Sequence, residues 1–196
     1  MKFGVLFTSH PHVDKEPYPH REVHARVTAE ILEADRLGYD IAWIAEHHFS
    51  NSYGILPDPF TYIGYLAGQT QHIRLGTAVM TLPLYNPVRV VENAAFADIL
   101  SKGRFILGLG SGYRPYEFEG MGVSFDERRD IQEEALEIVL DALQTAASST
   151  MATISISTCR EITRFSPPAY RNPTCLFISL PVPTVRSAQR HDTAAA

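Results

Sequence analysis

Glu46-His47-His48 closes a short apolar run, Ile41 to Ala45, and is the stretch of this sequence best equipped for chemistry. An imidazole titrates near neutral pH, so a histidine at a strand end suits proton transfer during turnover. Extended neighbours point to opposite faces of a sheet, so only one of His47 and His48 would face a given pocket. The plainer alternative is that both rings satisfy buried carbonyls. No third and fourth ligand accompanies them at a spacing that would suggest a metal site.

Gly108-Leu109-Gly110-Ser111-Gly112 is the second candidate. Glycines after a strand let backbone approach a ligand closely, and free N–H groups bind anions. The run departs from the G-x-G-x-x-G nucleotide fingerprint, because its third glycine comes one residue early and Tyr113 to Ser124 separates it from the next helix. A merely permissive loop is the competing reading. In Gly76 to Pro83, small residues would open room above a strand, or simply mark a buried one. Arg114, Tyr116, Glu117 and Arg128-Arg129 could meet a charged ligand, although such residues more often form a solvated helix face.

The elements that must position these groups follow from periodicity. Phe3 to Phe7 reads as a strand. Arg21 to Leu37 reads as a helix, with Val23, Val27, Ile31 and Ala34 at helical spacing and Gly38 as its stop. Ile41 to Ala45 is the second strand, and its unbroken apolar character fits a sheet covered on both faces. Pro59 opens a helix continuing to Gln69, Ile73 to Leu82 forms a third strand, and Pro87 opens a third helix. Arg104 to Leu109 is the fourth strand. Ser124-Phe125-Asp126-Glu127 has the form of a capping box, and the helix from Asp126 to Leu143 would bury Ile131, Ala135, Ile138, Val139 and Leu143. Four β/α repeats with right-handed crossovers imply an α/β fold with a parallel sheet, open or closed into a barrel. The ends of parallel strands are where such folds place chemistry.

Composition narrows the class. With 196 residues and 45% hydrophobic content, the chain can build one real core. A net charge of −5 without a Lys/Arg block argues against nucleic-acid and anionic-membrane partners. No apolar run approaches a membrane span, and the N-terminus lacks signal-peptide features, so a cytoplasmic location is expected. Cys159 and Cys175 lack metal-ligand spacing. From Gln144 onward acidic residues thin out, lysine vanishes, and Ser, Thr, Pro and Arg dominate. Met151 to Ser157 and Leu176 to Leu180 have strand character there. Residues 1–143 therefore read as one unit, and residues 144–196 as an irregular tail, disordered or derived from a shifted reading frame.

Several stretches together resemble the bacterial luciferase-like family of flavin-dependent monooxygenases. They are Trp43 to Phe49, Leu75 to Val79 with Leu82-Pro83, Asn86-Pro87-Val88-Arg89, Ser101 to Phe105 and Gly108 to Gly112, followed in order by Gly120 and Arg128-Arg129. The resemblance covers Met1 to Leu143. It implies parallel (β/α) repeats forming the first half of a TIM (β/α)8 barrel, with the second half absent and the edges of the first and fourth strands in need of cover.

The resemblance also implies a cofactor, reduced FMN, or deazaflavin F420 in one branch of the family. With O2 it would oxidise a small organic substrate such as an aldehyde or ketone. An NAD(P)H:flavin reductase would supply the reduced flavin, and pairing through the early helices would give a homodimer. By the same resemblance His47 is the catalytic histidine. Ala78-Val79 is a cis step against the flavin, and Gly110 and Ser111 lie beside the flavin and its ribityl-phosphate chain. Two other outcomes are a shortened relative that binds flavin without turnover, and a truncated product with no function.

Overall fold

In the computed structural model, residues 2–12, 14–150, 155–158 and 176–179 are described, with side chains to residue 144. The expected repeats are present. Strands β1 (Gly4–Phe7), β2 (Ile41–Ile44) and β3 (Arg74–Thr77) lie parallel in that order, and β3 continues through the short β4 (Met80–Thr81). Both β3 and β4 pair in parallel with β5 (Phe105–Gly110). Helices α1 (Pro19–Arg36), α2 (Pro59–Ala67) and α3 (Pro87–Leu100) form the crossovers. Two further helices, α4 (Pro115–Met121) and α5 (Arg128–Thr150), follow β5.

Helix boundaries are set by local chemistry. Asp58 and Asn86 accept the first free N–H groups of α2 and α3, and Pro59 and Pro87 occupy positions where no N–H is needed. At the end of α1, Gly38 takes φ +81, and the Gly38 and Tyr39 N–H groups donate back to Asp35 and Ala34. The Asp35 carboxylate then accepts from the Gln71, His72 and Ile73 N–H groups at 2.7, 2.9 and 2.6 Å, tying α1 to the start of β3.

The core lies between the sheet and its helices. Ala42, Ile44, Leu75, Phe105, Leu107 and Leu109 pack there against Val23, Val27, Ile31, Ile63, Leu66, Val90 and Val139. Each fully buried large side chain contributes about 1.5–3 kcal/mol. On the opposite face, Ile106 packs with Ile41, Trp43 and Val79. The Trp43 indole lies flat across two strands. A Cβ on Gly76 would come within 2.5 Å of its six-membered ring, and one on Gly4 within 2.7 Å of Nε1.

The structure corrects four expectations. The third strand is not continuous from Ile73 to Leu82. One extra residue enters between the β3 and β4 pairings with β5, a bulge, and Thr77 Oγ1 bridges the gap by donating to the Gly108 carbonyl and accepting the Gly108 N–H, both at 2.8 Å. Leu82–Leu84 is a 3₁₀ turn. The stretch from Tyr113 to Ser124 is not simply a loop, because Pro115 starts α4 and Gly122, at φ +69, ends it. On α5, which starts at Arg128 rather than Asp126, Ala135, Val139 and Leu143 are buried, but Ile138 faces outward.

The expected strands of the tail exist as β6 (Ser155–Thr158) and β7 (Leu176–Ser179), paired antiparallel. Strand β7 also lies antiparallel on β5, from Ile106↔Ser179 to Leu109↔Leu176, and covers the edge of the fourth parallel strand. Cys159 and Cys175 lie outside the described residues. Among the described residues, no helix is long and apolar enough to cross a membrane.

Candidate functional site

The chain leaves β2 at Ile44, and the following polar residues separate into two histidine–carboxylate pairs. His47 Nδ1 lies 3.1 Å from Glu117 Oε1 on α4, and the same oxygen accepts the His48 backbone N–H at 3.0 Å. Burial alone would raise the Glu117 pKa, but the His47 hydrogen bond, the His48 N–H and the charges of His47 and Arg114 bring it below the usual carboxylate value. An ionised carboxylate only accepts, so Nδ1 donates to Glu117 and Nε2 is left as the basic atom of His47.

His48 turns the other way. Its Nε2 lies 2.8 Å from Glu46 Oε1, and both side chains are buried. Glu46 also accepts the Thr81 N–H at 3.4 Å and the Tyr85 hydroxyl. Burial pushes the Glu46 pKa up. It would pull that of His48 down, but the adjoining Glu46 carboxylate raises it overall. Both shifts favour retention of the proton that the pair shares. His48 is thus tied into the buried scaffold beneath the strand end, although it also borders the cleft that His47 lines.

Four neighbours shape the socket of His47. Gly54, at φ +63, presses its backbone so close that a Cβ there would meet His47 Cδ2 at 2.3 Å. The rings of Tyr53 and Tyr113 stand 5.7 and 5.9 Å from the imidazole, and Glu117 closes the fourth side. The His47 side chain is 11% exposed. A cleft of about 710 Å³ reaches it, lined also by His20, His24, His48, Phe49 and Met121.

The other expected residues come together at the adjacent strand ends. The Ala78–Val79 peptide bond is cis and sits in the bulge between β3 and β4. By the two-residue period of β5, Gly108 and Gly110 share the sheet face of Ile106, which packs with Val79 and Trp43. Gly110 ends β5, and Ser111 after it is buried. Ala78 and Val79 are partly exposed at this end of the sheet, whereas Ile106, Gly108 and Gly110 are buried, so the accessible surface for a planar ring is the cis step itself. Arg128 is turned elsewhere, with its guanidinium 3.9 Å over the Phe125 ring.

Sequence reasoning undervalued Glu117. Read as a solvated face, it is buried and is the direct partner of His47. The signal was available in the proline and glycine that bracket α4, and in the aromatic Phe118 beside Glu117, which is fully buried. Tyr53 and Gly54 carried no comparable signal, since their role is set by where the loop folds.

The family model described as luciferase-like monooxygenase matches residues 1–193 of this chain. An uncharacterised protein of Sinorhizobium fredii, y4vJ, is 45% identical over 115 residues, covering 59% of this chain and 32% of that protein. The alkanal monooxygenase alpha chain of Photorhabdus laumondii is 34% identical over 134 residues, covering 68% of this chain and 36% of that one. Among solved structures, the oxygenating constituent of 3,6-diketocamphane monooxygenase from Pseudomonas putida, in complex with FMN, superposes with a TM-score of 0.64. Its identity is 24%, over 71% of this chain and 38% of that one, a likeness of fold. The chain thus spans about a third of the length of these relatives.

Proposed function

Because this chain belongs to the luciferase-like monooxygenase family, we propose that it supplies the flavin-facing strands of an enzyme that uses reduced FMN and O2 to oxidise a small organic substrate, such as an aldehyde or ketone. The observation that carries this reading is the His47–Glu117 pair at the end of β2. It stands on the same rim as the cis Ala78–Val79 step and the side-chain-free Gly108 and Gly110. Reduced flavin, when bound, supplies the electrons that activate O2.

The chain's own residues would do the rest. His47 holds or moves a proton at Nε2, and Glu117 keeps the ring in the tautomer that leaves this atom free. Val79 and Ala78 offer the surface against which the flavin ring lies. Gly110 and Ser111 hold the polar chain attached to it. An NAD(P)H:flavin reductase would deliver the reduced cofactor in the cytoplasm, and the working form would be a homodimer.

Titrating the purified chain with FMN and FMNH2, followed by flavin fluorescence and size-exclusion mobility, tests the reading. Saturable binding to a discrete dimer is expected, with product formation that needs reductant, O2 and His47. Saturable binding of F420 and not of FMN would move the chain to the deazaflavin branch, and no saturable binding of either would sink the proposal. The alternative reading is a family member that holds flavin without turnover. Stoichiometric flavin with no product from a substrate panel would select it.

A further inference from the structure

Arg114 stands just before α4, and its guanidinium is enclosed by aromatic rings instead of water. Its Cζ lies 4.4 Å from the centre of Tyr53 and 5.2 Å from that of Tyr113. Nη1 donates to the Tyr116 hydroxyl at 2.7 Å and lies 3.9 Å from Glu117 Oε1. Only 13% of the side chain is exposed. A guanidinium desolvated between ring faces is held far more firmly than one in water.

These partners come from two separate segments. Tyr53 belongs to the loop between β2 and α2, whereas Tyr113, Tyr116 and Glu117 follow β5. His47 sits between the segments, its ring beside Tyr53 and Tyr113 and bonded to Glu117. The loop has other ties. His47 N–H donates to Leu56 at 2.9 Å, Ile55 N–H to Ser9 at 3.2 Å and Tyr53 N–H to Ser50 Oγ at 3.0 Å. Asn51 Oδ1 meets His20 Nε2 at 2.9 Å, and the Tyr53 ring stands 5.0 Å from that of His10, but none of these ties reaches the segment after β5.

We infer that Arg114 is a positioning residue that clamps the β2–α2 loop onto the segment after β5, and thereby fixes the His47 imidazole against Glu117. The inference rests on reading His47 as the proton-handling group. Arg114 also acts through charge. Glu117 faces the His47 ring and the His48 N–H from the end of β2, and Arg114 from its own segment, so the guanidinium favours the carboxylate form that orients His47.

Hydrogen–deuterium exchange across residues 49–57 of the full chain tests the clamp, in wild type, Arg114→Met, Arg114→Lys, Tyr53→Leu and the Arg114→Met/Tyr53→Leu double variant. Exchange should rise at least tenfold in Arg114→Met and in Tyr53→Leu, and less in Arg114→Lys, while β2 and β3 amides stay protected. The double variant should exceed either single by no more than twofold, because both break one contact. In parallel, ¹⁵N ring resonances of His47 report when its Nδ1 bond to Glu117 is lost on acidification. That loss should come at higher pH in Arg114→Met and return towards the wild-type pH in Arg114→Lys, which restores the charge.

Loop exchange within twofold of wild type in both Arg114→Met and Tyr53→Leu, or an unchanged His47 signature in Arg114→Met, overturns the inference. Neither readout needs flavin. A wild-type chain that fails to bind FMN would therefore defeat the functional reading while leaving the clamp to stand or fall by itself.

Discussion

His47 and Glu117, seventy positions apart in the chain, meet at 3.1 Å. Two strand ends and a seven-residue helix bring them together, and the Glu117 oxygen that takes the imidazole also takes the backbone N–H of His48. The carboxylate therefore reads the position of the β2 terminus as well as the ring. A pair built this way fixes tautomer and orientation at once, which a lone surface histidine lacks.

The first prediction is that Glu117→Gln separates orientation from charge. Glutamine keeps the shape, and its oxygen can still accept from the His48 N–H and from His47 Nδ1, but it removes the negative charge that stabilises the ring when it takes up a proton. In a reductase-coupled assay with FMN and O2, turnover should fall roughly 10²-fold, the low end of what positioned acid–base groups contribute, with flavin affinity unchanged. His47→Ala should fall as far or further. Equal turnover of Glu117→Gln and wild type would remove Glu117 from the chemistry.

Gly54→Ala should damage the same site without touching a polar group. Its φ of +63 disfavours any Cβ, and the new methyl would overlap His47 Cδ2, 2.3 Å away. The backbone effect alone costs about 1–2 kcal/mol. Thermal denaturation should show that loss together with reduced turnover, whereas Gly68→Ala, at a helix end with open space around its Cβ and an ordinary φ, should leave turnover intact.

The contrast between these residues shows what the sequence could and could not disclose. The strands and the buried face of α1 were legible, because two- and 3.6-residue periods with Pro and Gly punctuation record them directly. The histidine pair at the end of β2 was legible as a local pattern, but only the family resemblance singled out His47. For Glu117 the short Pro- and Gly-bracketed helix was legible, but its partnership with His47 was not, since a long-range approach is not encoded in local periodicity. The bulge at Ala78–Val79 was hidden for a related reason. Ile73 to Leu82 reads as one strand, and only the pairing with β5 reveals the extra residue.

Asp98 predicts a pH effect on stability away from the site. It is 4% exposed on α3, its Oδ1 has no hydrogen-bond partner, and burial pushes its pKa up from 3.8 to about 6, against the Phe105 N–H and the charge of Arg74. The folded chain therefore keeps a proton that the unfolded chain gives up between those values. Stability from this group is present at low pH and is lost as pH rises from about 4 to about 6. The effect is bounded at about 3 kcal/mol for a shift of two units. Chemical denaturation of wild type and Asp98→Asn at pH 4.5 and 7 should give a smaller difference between the two pH values for the variant. Identical pH dependence would mean that Asp98 ionises normally.

Arg104 should prove among the costliest single positions outside the core. Its guanidinium donates to the carbonyls of Ala67, Thr70 and Ile73 and to Thr70 Oγ1, at 2.8 to 3.2 Å, closing the end of α2 against the start of β3. Hydrogen bonds from a charged group are worth about 1.5–3 kcal/mol each, and a buried acceptor left bare costs about 1–3 kcal/mol. Those values do not add fully, because the four bonds share one side chain. Arg104→Met keeps much of the stem and removes every donor, so a loss of about 2–3 kcal/mol, the upper part of the range for a hydrogen bond to a charged group, is expected in urea denaturation. Arg104→Lys should recover only part of it, because one ammonium cannot reproduce the planar fork that spans three carbonyls. A full recovery by lysine would show that charge, and not geometry, closes the end of α2.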